Sequence, residues 1–176
     1  MNKRICMKSL HAPWRDAYIN DVQKKSDKDT HKDNECVFCD HLKNGNDDKA
    51  MILGRFAYNF IIMNKFPYNA GHLLIMPLAH VATLQELSSE ARAELIELIA
   101  KSDALLEQVL GNDGSNVGIN KGRAGGAGIP SHLHVHVVPR WAGDTNFLPI
   151  IADVKQISTD MQSIFKQLKV EFAKLK

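Results

Sequence analysis

Hydrophobic and polar positions divide this chain into a polar beginning and a patterned remainder. From Asn20 to Glu35 the sequence reads NDVQKKSDKDTHKDNE, with one apolar residue in sixteen. Such a run buries too little surface to offset the entropy of ordering it, so residues 20–35 are expected to be a linker. Residues 1–19 before it hold Trp14, Tyr18 and Ile19 in the stretch HAPWRDAYI, an arm expected to pack on the body or on a second subunit. After the linker the pattern tightens. Met51–Leu53, Ala57–Met63 and His72–Met76 read as strands bounded by Gly54, Pro67 and Gly71. Thr83-Leu-Gln-Glu86 fits a capping box and Ser88 offers a second N-cap, so a helix is expected to start between them. Ala91, Leu95, Leu98, Leu105 and Val109 carry it at helical spacing to Gly111. Val117–Asn120 reads as a short strand and His132–Val138 as a long one, with the loop KGRAGGAGIP between them. A last helix from about Thr159 carries Met161, Ile164, Phe165, Leu168, Phe172 and Leu175 on one stripe. The predicted class is α+β: an antiparallel sheet with a main helix packed on it and a C-terminal amphipathic helix.

Composition narrows the function classes. The 176 residues suit one domain, and 44% apolar with 24% charged residues excludes a collagen-like, wholly disordered or disulfide-scaffold chain. Lysine and arginine (22) nearly balance aspartate and glutamate (20), a net charge of +2 that argues against nucleic acid as a partner. No stretch approaches the roughly 20 apolar residues of a membrane span, and Met1–Leu10 lacks the apolar core of a secretory signal. Three cysteines, an odd number, point to a reducing compartment, so a cytoplasmic location is expected.

The chemistry concentrates in His132-Leu-His134-Val-His136-Val-Val-Pro-Arg140. Side chains alternate along a strand, so the three imidazoles share one face and Leu133, Val135 and Val137 the other. The outer two Cα atoms of such a strand lie about 13 Å apart, too far for all three rings to reach one ion at about 2.1 Å. A neutral imidazole is a ready nucleophile near pH 7. The middle residue, His134, is best placed, flanked on both sides by groups that could hold phosphate oxygens or protonate a leaving group. Just upstream, the loop from Lys121 through Arg123 and Ala127 to Gly128 combines glycines, whose amides can turn toward an anion, with two cations. Strand and loop together read as a phosphate site. A plain half-exposed strand face and a merely flexible turn are the competing readings.

HLHVHVVPR resembles the signature of the histidine triad (HIT) proteins, nucleotide hydrolases and transferases, and the resemblance runs from about Cys36 to Ile150. It continues through NKFPYNAGHLLIMPLAHV. Within the family, APWRDAYI, GRAGGAGIP and HVVPRWAGDTNFLP look like the branch of bacterial diadenosine-tetraphosphate phosphorylases (ATP adenylyltransferases). The resemblance implies a HIT-like fold over residues 36–150 with a helical extension over 151–176. It implies His134 as the nucleophile of a nucleotidyl-histidine intermediate, His136 bonded to the phosphate and bridging oxygen, and His72 helping to support the nucleophile's strand and the nucleotide pocket. Asn64 would reach the ribose, Asn120 the phosphate, and Trp141 the nucleotide or polyphosphate. Many hydrolase members carry glutamine where this chain has Gly128. The smaller residue is expected to admit inorganic phosphate in place of water.

Cys36-Val-Phe-Cys39 has a spacing that lets two thiolates reach one ion; redox chemistry or two plain buried thiols are the alternatives. The resemblance adds His80 and His132 as third and fourth ligands of a structural zinc, with no organic cofactor. It also implies a homodimer with joined sheets. The lysines beside the C-terminal stripe, such as Lys166 and Lys169, leave a membrane-surface helix conceivable, though packing on its own sheet or on a sister subunit is the commoner arrangement. The expected activity is cleavage at the α-phosphate of an adenosine nucleotide or dinucleoside polyphosphate. Hydrolysis of a nucleoside phosphoramidate or of a dinucleoside polyphosphate, and nucleotide binding without turnover, are the alternatives.

Overall fold

The last helix is where periodicity alone carries most of the fold. In the computed structural model, which describes residues 36–147, 151, 157 and 159–175, helix α4 spans Met161–Phe172, with the Asp160 carboxylate accepting from the Gln162 N–H at its start. Its stripe of Ile164, Phe165, Leu168 and Phe172 is buried, and Met161 and Leu175 pack at the margin. This helix closes on helix α3 (Ser89–Leu110) and strand β1 (Ile52–Arg55) of its own chain, so the apolar face that a membrane surface would need is already used. The expected arm (1–19) and linker (20–35) lie outside the described residues.

The sheet has five antiparallel strands: β1 (Ile52–Arg55), β2 (Asn59–Met63), β3 (Leu73–Pro77), β4 (Gly114–Ile119) and β5 (Val135–Arg140). Their order is β1-β2-β3-β5-β4. Helix α3 (Ser89–Leu110) crosses one face, burying Ala91, Leu95, Leu98 and Leu106. Both start signals read from the sequence are used. The Thr83/Glu86 capping box opens a single 3-10 turn, Leu84–Glu86, and Ser88 caps α3 by accepting from the Ala91 N–H. Gly111, at φ +63°, ends the helix in a left-handed conformation that glycine adopts without strain.

Two departures from the sequence reading shape the site. First, the face of the sheet away from α3 is not bare. Helices α1 (Val37–Lys43) and α2 (Asp47–Ala50) build a second cluster there, in which Phe38 and Ala50 meet Ile52, Phe60, Ile62, Leu74 and Met76. Second, β5 starts at Val135, three residues later than expected. The His132 N–H closes a turn onto Ile129, the Leu133 N–H bonds Val81, and the partner strand β4 ends opposite Val135. The face alternation nevertheless holds: Leu133, Val135 and Val137 enter the core under α3, and the histidines face the α1 side.

Candidate active site and metal clip

His134 and His136 line one patch of that face, their ring centroids 5.1 Å apart. They are 6% and 9% exposed, whereas His72 and His132 are fully buried. Only the first two therefore keep an opening to a ligand. The Gly71-His72 pair is set by Gly71 at φ +73°, where a Cβ would collide with Leu110. His72 stands diagonally across from His136, because Leu74 pairs with His136 in the β3–β5 ladder.

Hydrogen bonds fix where the protons sit. The Tyr68 N–H donates to His72 Nδ1 at 3.0 Å, and the Asn64 carboxamide nitrogen lies 3.2 Å from the same atom. With Nδ1 accepting, neutral His72 carries its proton on Nε2, 3.0 Å from His136 Nδ1. His136 Nδ1 then accepts, and its own proton lies on Nε2; the Asn120 carboxamide, whose nitrogen is placed 3.5 Å away, pairs with that donor only by turning its oxygen toward it. Burial, followed by the His136 and His134 charges, holds His72 down at about 3. Burial and then the His134 charge hold His136 down at about 4. Both imidazoles are thus neutral near pH 7. At the neighbouring ring, His134 Nδ1 lies 2.8 Å from the His132 carbonyl oxygen, which only accepts. His134 Nδ1 is therefore the protonated nitrogen, and Nε2 keeps its lone pair. The patch pairs a bare ring nitrogen with an adjacent N–H donor.

The fourth cluster member turns away. His132 Nδ1 lies 3.3 Å from Cys36 Sγ and 3.7 Å from Cys39 Sγ, and His80 Nδ1 lies 3.4 Å from Cys39 Sγ. All four donor atoms fall within 4.8 Å of one another. A tetrahedral zinc site with bonds of about 2.3 Å to sulfur and 2.0 Å to nitrogen spaces sulfur and nitrogen about 3.5 Å apart, so the donor set fits. His132 Nε2 donates to the Pro77 carbonyl at 2.9 Å, leaving Nδ1 free to ligate. Burial, the Cys36 hydrogen bond and the Cys36 charge, in that order, push the Cys39 thiol up to about 11, so a metal would displace a proton there. The thiols sit at the start of α1, not in an isolated turn, and Phe38 between them packs on both His132 and His134 at 5.5 Å.

Other expected residues fare differently. Asn64 also accepts from the Phe66 N–H, a turn contact that fixes its carboxamide. Lys121 and Arg123 are exposed on the loop. Two of the amides expected to face an anion are spent internally, because Gly122 and Gly126 at positive φ fold the loop on itself: Gly126 N–H bonds Arg123 and Ala127 N–H bonds Gly122. Gly128 has open space where a Cβ would stand. Trp141 donates its indole N–H to the Gly111 carbonyl and lines a separate cavity of about 400 Å³ with Leu110 and Ile164, so the fold does not bring it to the histidines. Two aromatic neighbours of the site, Phe38 and Tyr68, were missed in the sequence reading. Both stand inside motifs that it did use, which was the available signal.

Residues 46–143 match the HIT domain. AP-4-A phosphorylase of Mycobacterium tuberculosis is 31% identical over 99% of this chain and 89% of its own length. An adenosine 5'-monophosphoramidase of Schizosaccharomyces pombe is 30% identical over 60% of this chain and 74% of its own. Among solved structures, a zinc-bound histidine triad family protein from Mycobacterium smegmatis superposes with a TM-score of 0.65 at 25% identity, covering 80% of this chain and 95% of that one.

Proposed function

The chain belongs to the histidine triad family, and on that premise we propose that it splits a dinucleoside tetraphosphate at an α-phosphorus, with inorganic phosphate as the acceptor. The observation that carries this reading is the His134 Nδ1 bond to the His132 carbonyl, which leaves Nε2 as the bare nitrogen beside the His136 N–H. The His134 Nε2 lone pair attacks the α-phosphorus, forming an N–P bond while the bond to the departing polyphosphate oxygen breaks. The His136 Nε2–H donates a hydrogen bond to that oxygen, and the polyphosphate leaves as its anion. Phosphate then attacks the nucleotidyl-histidine, freeing His134. The products are a nucleoside triphosphate and a nucleoside diphosphate.

Asn64 takes the ribose, Asn120 bonds the phosphate, and Lys121 and Arg123 add positive charge at the mouth. The open space at Gly128 is room for a phosphate acceptor. Trp141 and the Ala127 amide are left out of this assignment. Zinc held by Cys36, Cys39, His80 and His132 supplies a structural cross-link, in keeping with the reducing cytoplasm in which we place the protein. A homodimer joined along β4 accounts for Val117 and Ile119, which are exposed on that edge strand. The relative named as a monophosphoramidase favours a second reading, cleavage of a P–N bond with water as acceptor. Product analysis with diadenosine tetraphosphate decides between acceptors: ATP and ADP form only when phosphate is present if the proposal holds. Release of AMP at the same rate without phosphate contradicts it.

A further inference from the structure

Tyr68 has a position that the mechanism above does not yet use. Its ring stacks on His136, with planes 17° apart and centroids 5.5 Å apart, and on His72 at 4.7 Å and 35°. Its own N–H is the donor that sets the His72 tautomer. The ring is half exposed, at 54%, while the imidazoles beneath it are buried, so it stands between them and solvent. The loop carrying it is fastened. Asn69, nearly buried, donates to the Pro139 carbonyl at the end of β5 and to the Asp144 carboxylate, and the Gly71 turn abuts Leu110. Offset stacking of this kind contributes about 0.5–1.5 kcal/mol beyond area burial and fixes ring orientation.

We infer that Tyr68 is a positioning residue, its ring roofing the His72–His136 pair so that His136 stays neutral and aims its Nε2 proton at the departing oxygen. The inference rests on the reading of His136 as the hydrogen-bond donor to the departing oxygen. Among the described residues, the groups facing His136 are His134 on its own strand, His72 beside β3, Tyr68 above, and Asn120 after β4. No carboxylate is among them, so water is what the ring must hold off. Removing the roof rehydrates the pair and favours the charged form. The hydroxyl has no part in this, so phenylalanine should serve equally well.

The test uses the full metal-loaded chain as wild type, Tyr68→Phe, Tyr68→Leu and Tyr68→Ala. Imidazole resonances of His72 and His136 are followed by NMR as a function of pH, beside the pH profile of kcat/KM for diadenosine tetraphosphate with phosphate. Wild type and Tyr68→Phe should share one titration, with His136 near 4. In Tyr68→Ala, and less in Tyr68→Leu, the His136 titration should rise toward 6.5 and the acid limb of the profile should rise with it. An unmoved His136 titration in a folded Tyr68→Ala or Tyr68→Leu protein overturns the inference. So does a Tyr68→Phe protein that behaves like Tyr68→Ala. If the titrations move as stated but no α-phosphate turnover is seen, the proposed reaction fails together with the aim at a departing oxygen, and what stands is the hold of the Tyr68 ring on the His72–His136 pair.

Discussion

One short segment serves two unlike neighbourhoods. At its start His132 meets sulfur: two thiols from α1 and an imidazole from the turn after β3 surround its Nδ1, and its Nε2 is tied to a carbonyl. At its end His136 meets nitrogen and an aromatic ring, in a chain that begins at a backbone amide and finishes on an outward-facing N–H. Both ends hold neutral imidazole in place, yet one leaves a lone pair for a metal and the other a proton for a ligand. His134 takes from each. Its tautomer is set by the carbonyl of the metal-clip residue, and its ring borders the proton donor. The difference teaches that the function of a histidine in this motif is set by what bonds its second nitrogen.

If the two ends are distinct, substitutions should separate chemistry from structure. The largest effect is expected for His134→Ala, with turnover falling by about 10³-fold or more while metal content and melting temperature stay near wild type, as steady-state rates and metal analysis will show. His136→Gln should follow, losing about 10²–10⁴-fold in kcat. That loss should shrink for substrates with a better leaving group, because such a group depends less on that hydrogen bond. Cys36→Ser should act at the other end. Bound zinc should drop from about one equivalent to none, and a loss of about 3 kcal/mol would lower Tm by about 6–12 °C in a chain of this size.

The pH dependence of stability is a smaller effect with a definite sign. His72 and His136 titrate lower in the folded chain than their ordinary 6.5, so the unfolded chain binds more protons between those values. The stability they contribute is fully present above about pH 6.5 and is lost as pH falls from there toward about 4 for His136 and about 3 for His72. Thermal melts of wild type should show this slope, and His136→Gln should flatten it. Smallest of all, Trp141→Ala should change kcat/KM by less than about threefold, because the indole faces Gly111 and the cavity on the α3 side.

Regularity decided what was legible in the sequence. The α4 stripe, the caps of α3 and the two-faced alternation from His132 to Val138 are local patterns, and each survives in the fold. The clip was legible in part, as a cysteine pair whose histidine partners were supplied by family resemblance. What escaped was long-range. Helices α1 and α2 are short and mostly polar, and the inward place of Phe38 depends on rings far along the chain. The late start of β5 follows from where β4 ends and from the Val81 contact. Tyr68 shows no periodicity that would mark it as stacked on His136. The glycine loop was read from composition, which cannot say that Gly126 and Ala127 spend their amides on the loop itself.

The central claim is that His134 Nε2 forms a bond to phosphorus. Mixing protein for milliseconds with α-³²P-labelled diadenosine tetraphosphate, stopping with an alkaline denaturant, and digesting and mapping peptides under the same alkaline conditions, which preserve phosphoramidates, tests it most directly. The account predicts one labelled peptide, containing His134, that loses its label when phosphate is added and is missing in His134→Ala. Label at another residue, or equal labelling of His134→Ala, would contradict it.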